Sequence, residues 1–186
     1  MSYYTIKGIV KSGAPILVFT SIMGIIAGQV MNTRLDSLLS SPILLLLIPS
    51  LIKIGGDTGS MLAARLSSAF HMGLGTTHFH KNPVVRNSLI AAFIVGISAS
   101  VVVSILVWVA GHYLDTSLSF LIIFQLCIIA EVFELIVVYA ATLGIAIASH
   151  RFGLDPDDTI IPMIATLGDL VGVLAIFVTI NVFNII

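Results

Sequence analysis

Long apolar runs separated by short polar breaks make up nearly the whole chain. A helix needs about 20 mostly apolar residues to cross a bilayer, and five stretches meet that length. They cover about Pro15–Asn32, Pro42 through the run LLLLIPSLIKIGGDTGSMLAARLSSAF, Asn87–Tyr113, Leu118–Ser149 and Ile160–Asn184. The pattern predicts an all-α membrane protein with five transmembrane helices per subunit. Segments two and four exceed a straight crossing, so tilting, extension beyond the membrane and breaking are all open to them. Segment two is the candidate for a break. Pro49 removes a backbone donor, and Gly55-Gly56 loosens the chain just after it. Irregular backbone at membrane depth is tolerated only where it is buried in protein or lines a water-filled cavity.

Composition sharpens this picture. Of 186 residues, 58% are hydrophobic and 9% charged, whereas soluble domains carry about a quarter charged residues. So few charges cannot cover a water-facing surface, so lipid solvates most of the chain. The net charge of −1 argues against a nucleic-acid partner, which needs a basic face. Cys127 is the single cysteine. It excludes an intrachain disulfide and reads as a small buried hydrophobe. The N-terminal MSYYTIKGIVKSGAP lacks a small-residue cleavage site, so it reads as the approach to a first spanning helix rather than a removed signal peptide. No stretch resembles a linker, and residues 1–186 read as one domain.

The short connections carry an orientation signal. Lys7 and Lys11, then Arg65, Lys81 and Arg86, then Arg151 fall on one side. Arg34, offset by Asp36, is the only basic residue on the other. Basic loops stay in the cytoplasm, so the N-terminus is expected inside and the C-terminus outside. Gly24 with Gly28, and Ala92 with Gly96, have the small-residue spacing that allows close helix approach. No internal repeat is visible, so a central pathway built from two copies would need a second subunit.

Ionisable groups inside spanning helices are costly and usually functional. Asp169, in TLGDLVGVLAIF, lies about ten residues into segment five, roughly 15 Å of rise. Gly168 and Gly172 beside it leave room for a hydrated ion or another helix. The structural alternative is a carboxyl hydrogen-bonded to a neighbouring hydroxyl. Asp57, in IGGDTGS, follows two glycines. Its carboxylate, a Gly56 carbonyl in a turn, and the hydroxyls of Thr58 and Ser60 are hard oxygen ligands suited to Mg²⁺ or Ca²⁺. The alternative is that Asp57 caps a new half-helix. Glu131 and Glu134 share one face of segment four. Their charges repel unless a cation or proton lies between them, or one pairs with a hydroxyl or with Lys53. Asp155, Asp157 and Asp158 form either a solvated, capping loop or an acidic mouth that concentrates cations. His78 and His80, with His71 nearby, lack the further ligands a zinc site needs and read as an ordinary loop. The candidate metal ligands are Asp169, Asp57, Glu131, Glu134, Gly56 and Thr166.

Two stretches carry a family resemblance. Residues 49–73, PSLIKIGGDTGSMLAARLSSAFHMG, resemble the second-helix signature of the MgtE-type magnesium channels and their eukaryotic solute-carrier relatives. That signature has a Pro, a Gly-Gly-Asn-x-Gly element and an Arg-x-Ser/Thr, matched here by Pro49, Gly55, Gly56, Asp57, Gly59, Arg65 and Ser67, with His71 and Gly73 after them. Residues 162–177, PMIATLGDLVGVLAIF, resemble the family's last helix, whose pore-axis Asp falls on Asp169. The resemblance implies a homodimer in the cell membrane whose pore is lined by the second and fifth helices of each subunit. Asp169 of both subunits would then face one hydrated Mg²⁺, with Mn²⁺, Co²⁺ and Ca²⁺ as other candidate ions. Asp57 stands where the signature has Asn, which bears on ion selectivity, and with no stretch here that reads as a cytoplasmic sensor domain, gating by such domains is not carried over from the resemblance. The choice between channel and exchanger is open at this level. Two competing readings are an intramembrane aspartyl protease using Asp57 and Asp169, for which the Tyr-Asp and Gly-x-Gly-Asp motifs are incomplete, and a membrane scaffold subunit, which leaves the buried charges unexplained.

Overall fold

A computed structural model describes residues 5–40, 42–73, 82–113, 118–152 and 156–183, with side chains for all of these except 12, 37, 40, 150–152 and 156–158. Six helices run in chain order: α1 (Ile6–Asn32), α2 (Leu35–Ser40), α3 (Pro42–His71), α4 (Pro83–Tyr113), α5 (Phe120–Phe152) and α6 (Pro156–Phe183). Among the described residues, all but the six-residue α2 are long and apolar enough to cross a membrane. The protein is therefore a multi-pass helical membrane protein, as the hydropathy pattern predicts.

The helices are longer than the apolar runs alone suggest, because polar residues continue them past the hydrocarbon. α1 starts at Ile6 rather than near Pro15. The Thr5 hydroxyl accepts a hydrogen bond from the Gly8 N–H at 3.2 Å and caps one of the free donors of the first turn. Pro15, Pro49 and Pro162 all lie inside helices.

The expected break in segment two does not occur. α3 runs through Pro49, Gly55-Gly56 and Gly59 without interruption. Gly56 is consequently helical rather than part of a turn, and Asp57 caps no half-helix. The physical reason lies in packing: these glycines are used to bring other helices close, not to bend the chain.

α3 and α6 form the centre of the bundle. α6 packs against α3, α5 and α1, while α4 closes the other side against α3 and α5. Two apolar clusters divide the interior. One gathers Ile43, Leu47 and Leu51 of α3 with Leu126 of α5 and Ile176 of α6. The other gathers Leu62 and Leu66 of α3 with Leu135 and Val138 of α5 and Ile160 and Ile164 of α6. Between them lies a waist of glycines and carboxylates: Gly55 to Gly59, Glu131 and Glu134, and Gly168 to Gly172. α1 is different in kind, packing on α6 while most of its residues face outward.

Candidate cation site

The waist exists because α3 and α6 touch through backbone. A β-carbon placed on Gly168 would lie 2.5 Å from the Gly56 Cα and 2.6 Å from its nitrogen. A β-carbon on Gly56 would lie 3.1 Å from the Ala165 carbonyl oxygen. No side chain fits between the two helices there. The Ser60 hydroxyl spans the same seam toward the Ile161 carbonyl at 3.5 Å. This crossing places Asp57, the residue after Gly56, beside Asp169, the residue after Gly168.

Asp57 and Asp169 fall near the middle of their helices: Asp57 midway along Pro42–His71, Asp169 midway along the apolar stretch Thr159–Val182. Asp57 is exposed on the outer face of the subunit and Asp169 is half-buried. Lys53 lies one turn before Asp57, with its Nζ 2.9 Å from the Asp57 Oδ1; the two side chains are 68% and 56% exposed. So large an exposure of charge at mid-helix would be costly against lipid. That cost favours a cover of protein or water over this face in the membrane. The exposed line of α3 runs on through Pro49, Met61, Arg65 and Ser68 at helical spacing.

Thr166 is half-buried, one turn before Asp169 on the same side of α6, and its hydroxyl donates to the Pro162 carbonyl at 3.0 Å. The hydroxyl oxygen keeps acceptor capacity for a cation or its water shell. Gly56 is buried in the helix contact, and Thr58 is buried with its hydroxyl returned to the Ile54 carbonyl at 2.8 Å.

Glu131 and Glu134 lie elsewhere. They point into the subunit, 0% and 1% exposed. Both oxygens of Glu131 and Oε1 of Glu134 are without a hydrogen-bond partner among the described residues. The Glu134 carboxyl fills the space where Gly55 and Gly172 have no side chain: its Oε1 presses on Gly55, and a β-carbon on Gly172 would come 2.8 Å from its Oε2. Glu134 therefore sits directly behind the α3–α6 seam, touching both helices that carry the outer aspartates. Glu131 faces α4, where its Oε1 would lie 3.5 Å from a β-carbon on Gly96. Sequence reasoning placed the two glutamates on one helical face. It missed that glycines on two other helices are spaced to receive Glu134. It also left the partner of Lys53 open, although the i, i+4 spacing to Asp57 was a usable signal.

Among the described residues, no three His, Cys, Asp or Glu side chains gather into a site within this subunit. The His78–His80 pair and Asp155 lie outside the described residues, as do the side chains of Asp157 and Asp158.

Residues 48–179 match the MgtE family, described as divalent cation transporter. Curated relatives include the solute carrier family 41 member 2 proteins of Homo sapiens and Macaca fascicularis. Each is 29% identical over 139 residues, an alignment covering 68% of this chain and 22% of the relative. The Gallus gallus protein of the same name is 28% identical over 133 residues with the same shares. The chain thus spans about a fifth of the length of these relatives. No solved structure matches it. The match takes in the whole of both stretches that carry the resemblance, the α3 signature and the α6 Asp. Members of this family are transporters rather than enzymes, which removes the intramembrane protease reading. The chain belongs to the MgtE family of divalent cation transporters.

Proposed function

We propose that this protein passes Mg²⁺ across the membrane through a pathway lined by α3 and α6 of two subunits, with Asp169 of both as the central ligands. The observation that carries this reading is the exposed charge halfway along the spanning helix α3. Lys53, Asp57 and Asp169 share an outer face that lipid solvates poorly. A second subunit set against that face would enclose the charges and bring two copies of each aspartate together. Mg²⁺ sheds water reluctantly and is usually held by one or two carboxylates through a retained shell. Facing aspartates match that requirement without a full protein cage. Asp57, Thr166 and the Gly56 carbonyl lie along the same seam, and the enclosed Glu131 and Glu134 lie behind it. The basic loops orient the N-terminus to the cytoplasm and the C-terminus outward.

The test is flux of Mg²⁺, Mn²⁺, Co²⁺ and Ca²⁺ into proteoliposomes. Asp169→Asn is expected to reduce flux to the protein-free background while the protein still purifies as a folded species. Unchanged flux in that variant would remove Asp169 from the pathway. Crosslinking in lipid is expected to trap a dimer through α3, and a species that stays monomeric contradicts the shared pathway. Repeating the flux across Na⁺ and pH gradients separates a channel, which ignores them, from an exchanger, which does not.

A further inference from the structure

Lys53 is a positive charge in a place built for positive charge. Its ammonium already sits where a cation would sit, 2.9 Å from a carboxylate oxygen of Asp57 and on the exposed face of α3. Asp169 on α6 lies across the Gly56–Gly168 contact from Asp57. The pair is formed within one helix by side chains four residues apart, so it needs no neighbouring element to hold it. Four rotatable methylenes let the ammonium leave as easily as it arrives.

We propose that Lys53 is a tethered cation that competes with the transported divalent ion for Asp57 and Asp169, and so sets how tightly the pathway holds its ion. The proposal rests on the pathway reading above and adds a role for a residue that reading leaves unused. Charge arithmetic supports it. Counting only the groups at the α3–α6 crossing, Lys53 against Asp57 and Asp169, and leaving out Arg65 two turns further along α3, each subunit contributes one net negative charge there, and two subunits contribute two, equal and opposite to one divalent ion. Without Lys53, two subunits would present four. Ion pathways must bind well enough to admit an ion and weakly enough to release it. Four facing carboxylates in a site of low dielectric would hold a divalent ion strongly, because the attraction grows as water is excluded. A tethered ammonium offsets this, since a divalent ion reaching Asp57 must first displace it. The Asp that stands where the family signature has Asn thus comes with its own countercharge one turn away.

Mn²⁺ is a suitable probe, because electron paramagnetic resonance counts the free aquo ion directly against purified protein. Lys53→Met is expected to bind Mn²⁺ about tenfold more tightly, equivalent to about 1.4 kcal/mol. In proteoliposomes its flux saturates at lower Mn²⁺ and reaches a lower maximum. Lys53→Arg keeps the charge and stays near the wild-type affinity. Lys53→Met leaves Asp57 without its partner, so the comparison is repeated in an Asp57→Asn background, where no carboxylate is orphaned on α3. There Lys53 faces Asp169 alone, and K53M/D57N is expected to bind Mn²⁺ more tightly than D57N. A residue that merely stabilises the helix would lower the unfolding temperature when removed and leave Mn²⁺ affinity unmoved. No tightening in either background overturns the proposal. If Asp169→Asn abolishes Mn²⁺ flux in the same series, the pathway reading survives that failure. If Asp169→Asn leaves flux intact, the pathway itself falls.

Discussion

Four acidic side chains lie near the middle of their helices, and the structure treats them as two unlike pairs. Asp57 and Asp169 border the outer seam between α3 and α6, where Asp57 has Lys53 as partner. Glu131 and Glu134 are enclosed within the subunit, and three of their four oxygens lack a hydrogen-bond partner among the described residues. The same chemical group at the same depth therefore meets two different solvents. The outer pair is reachable by an ion that approaches from outside the subunit. The inner pair is enclosed, with Glu134 against Gly55 and Gly172 and Glu131 towards Gly96 of α4. Depth in the membrane marks a carboxylate as unusual. The direction a carboxylate faces is what the proposed pathway would use to choose among the four.

The sharpest test of that division compares Asp169→Asn with Glu134→Gln, since each exchanges a carboxyl for an amide of nearly the same shape. The outer change is expected to abolish divalent flux, the largest effect anticipated in this protein. The next largest is expected at the seam itself. A methyl group at Gly168 meets the Gly56 backbone, and backbone cannot swing aside as a side chain can. Gly168→Ala should therefore push α6 off α3, costing about 1–3 kcal/mol as overpacking does. Thermal unfolding in detergent would show a lowered midpoint, and flux should fall with it because Asp57 and Asp169 lose their register. A Gly168→Ala protein as stable and active as the wild type would mean that the two helices do not meet through these glycines.

The fold was largely legible in the sequence because hydrophobic length is a strong signal in a membrane chain. Five apolar runs gave five spanning helices, with ends shifted where residues such as Ile6 and Pro83 extend a helix beyond the apolar stretch. Asp57 and Asp169 were legible as groups in the wrong solvent. What could not be read was the use of the glycines. Gly55-Gly56 looks like a break when only one helix is in view. It becomes a contact surface only when Gly168 and Gly172 arrive from more than a hundred residues away, with Glu134 between them. The direction of each carboxylate was hidden for the same reason. Spacing shows that Glu131 and Glu134 share a face, but not whether that face turns inward or outward. The Gly24–Gly28 pair taught the opposite lesson: its spacing suggests a helix contact, yet β-carbons there would meet nothing within 4 Å in the subunit.

Smaller effects refine the comparison from its quiet side. Glu134→Gln keeps the volume that fills the space beside Gly55 and Gly172. It should cost at most about 1–3 kcal/mol, the penalty for a buried amide donor left without a partner, and leave flux measurable. Flux abolished by Glu134→Gln as completely as by Asp169→Asn would erase the distinction between the two pairs and make the inner carboxyl part of the conducting path. The smallest effect is expected in α1, which packs on α6 with most of its surface facing outward. Gly24→Ala and Gly28→Ala add methyl groups into open space among the described residues, so each should shift stability by no more than about 1 kcal/mol. Any shift should be towards greater stability, since alanine favours the helix over glycine. If either substitution instead lowers the unfolding midpoint by several degrees in lipid but not in detergent, the outer face of α1 is occupied in the membrane. The dimer would then extend beyond the α3–α6 seam.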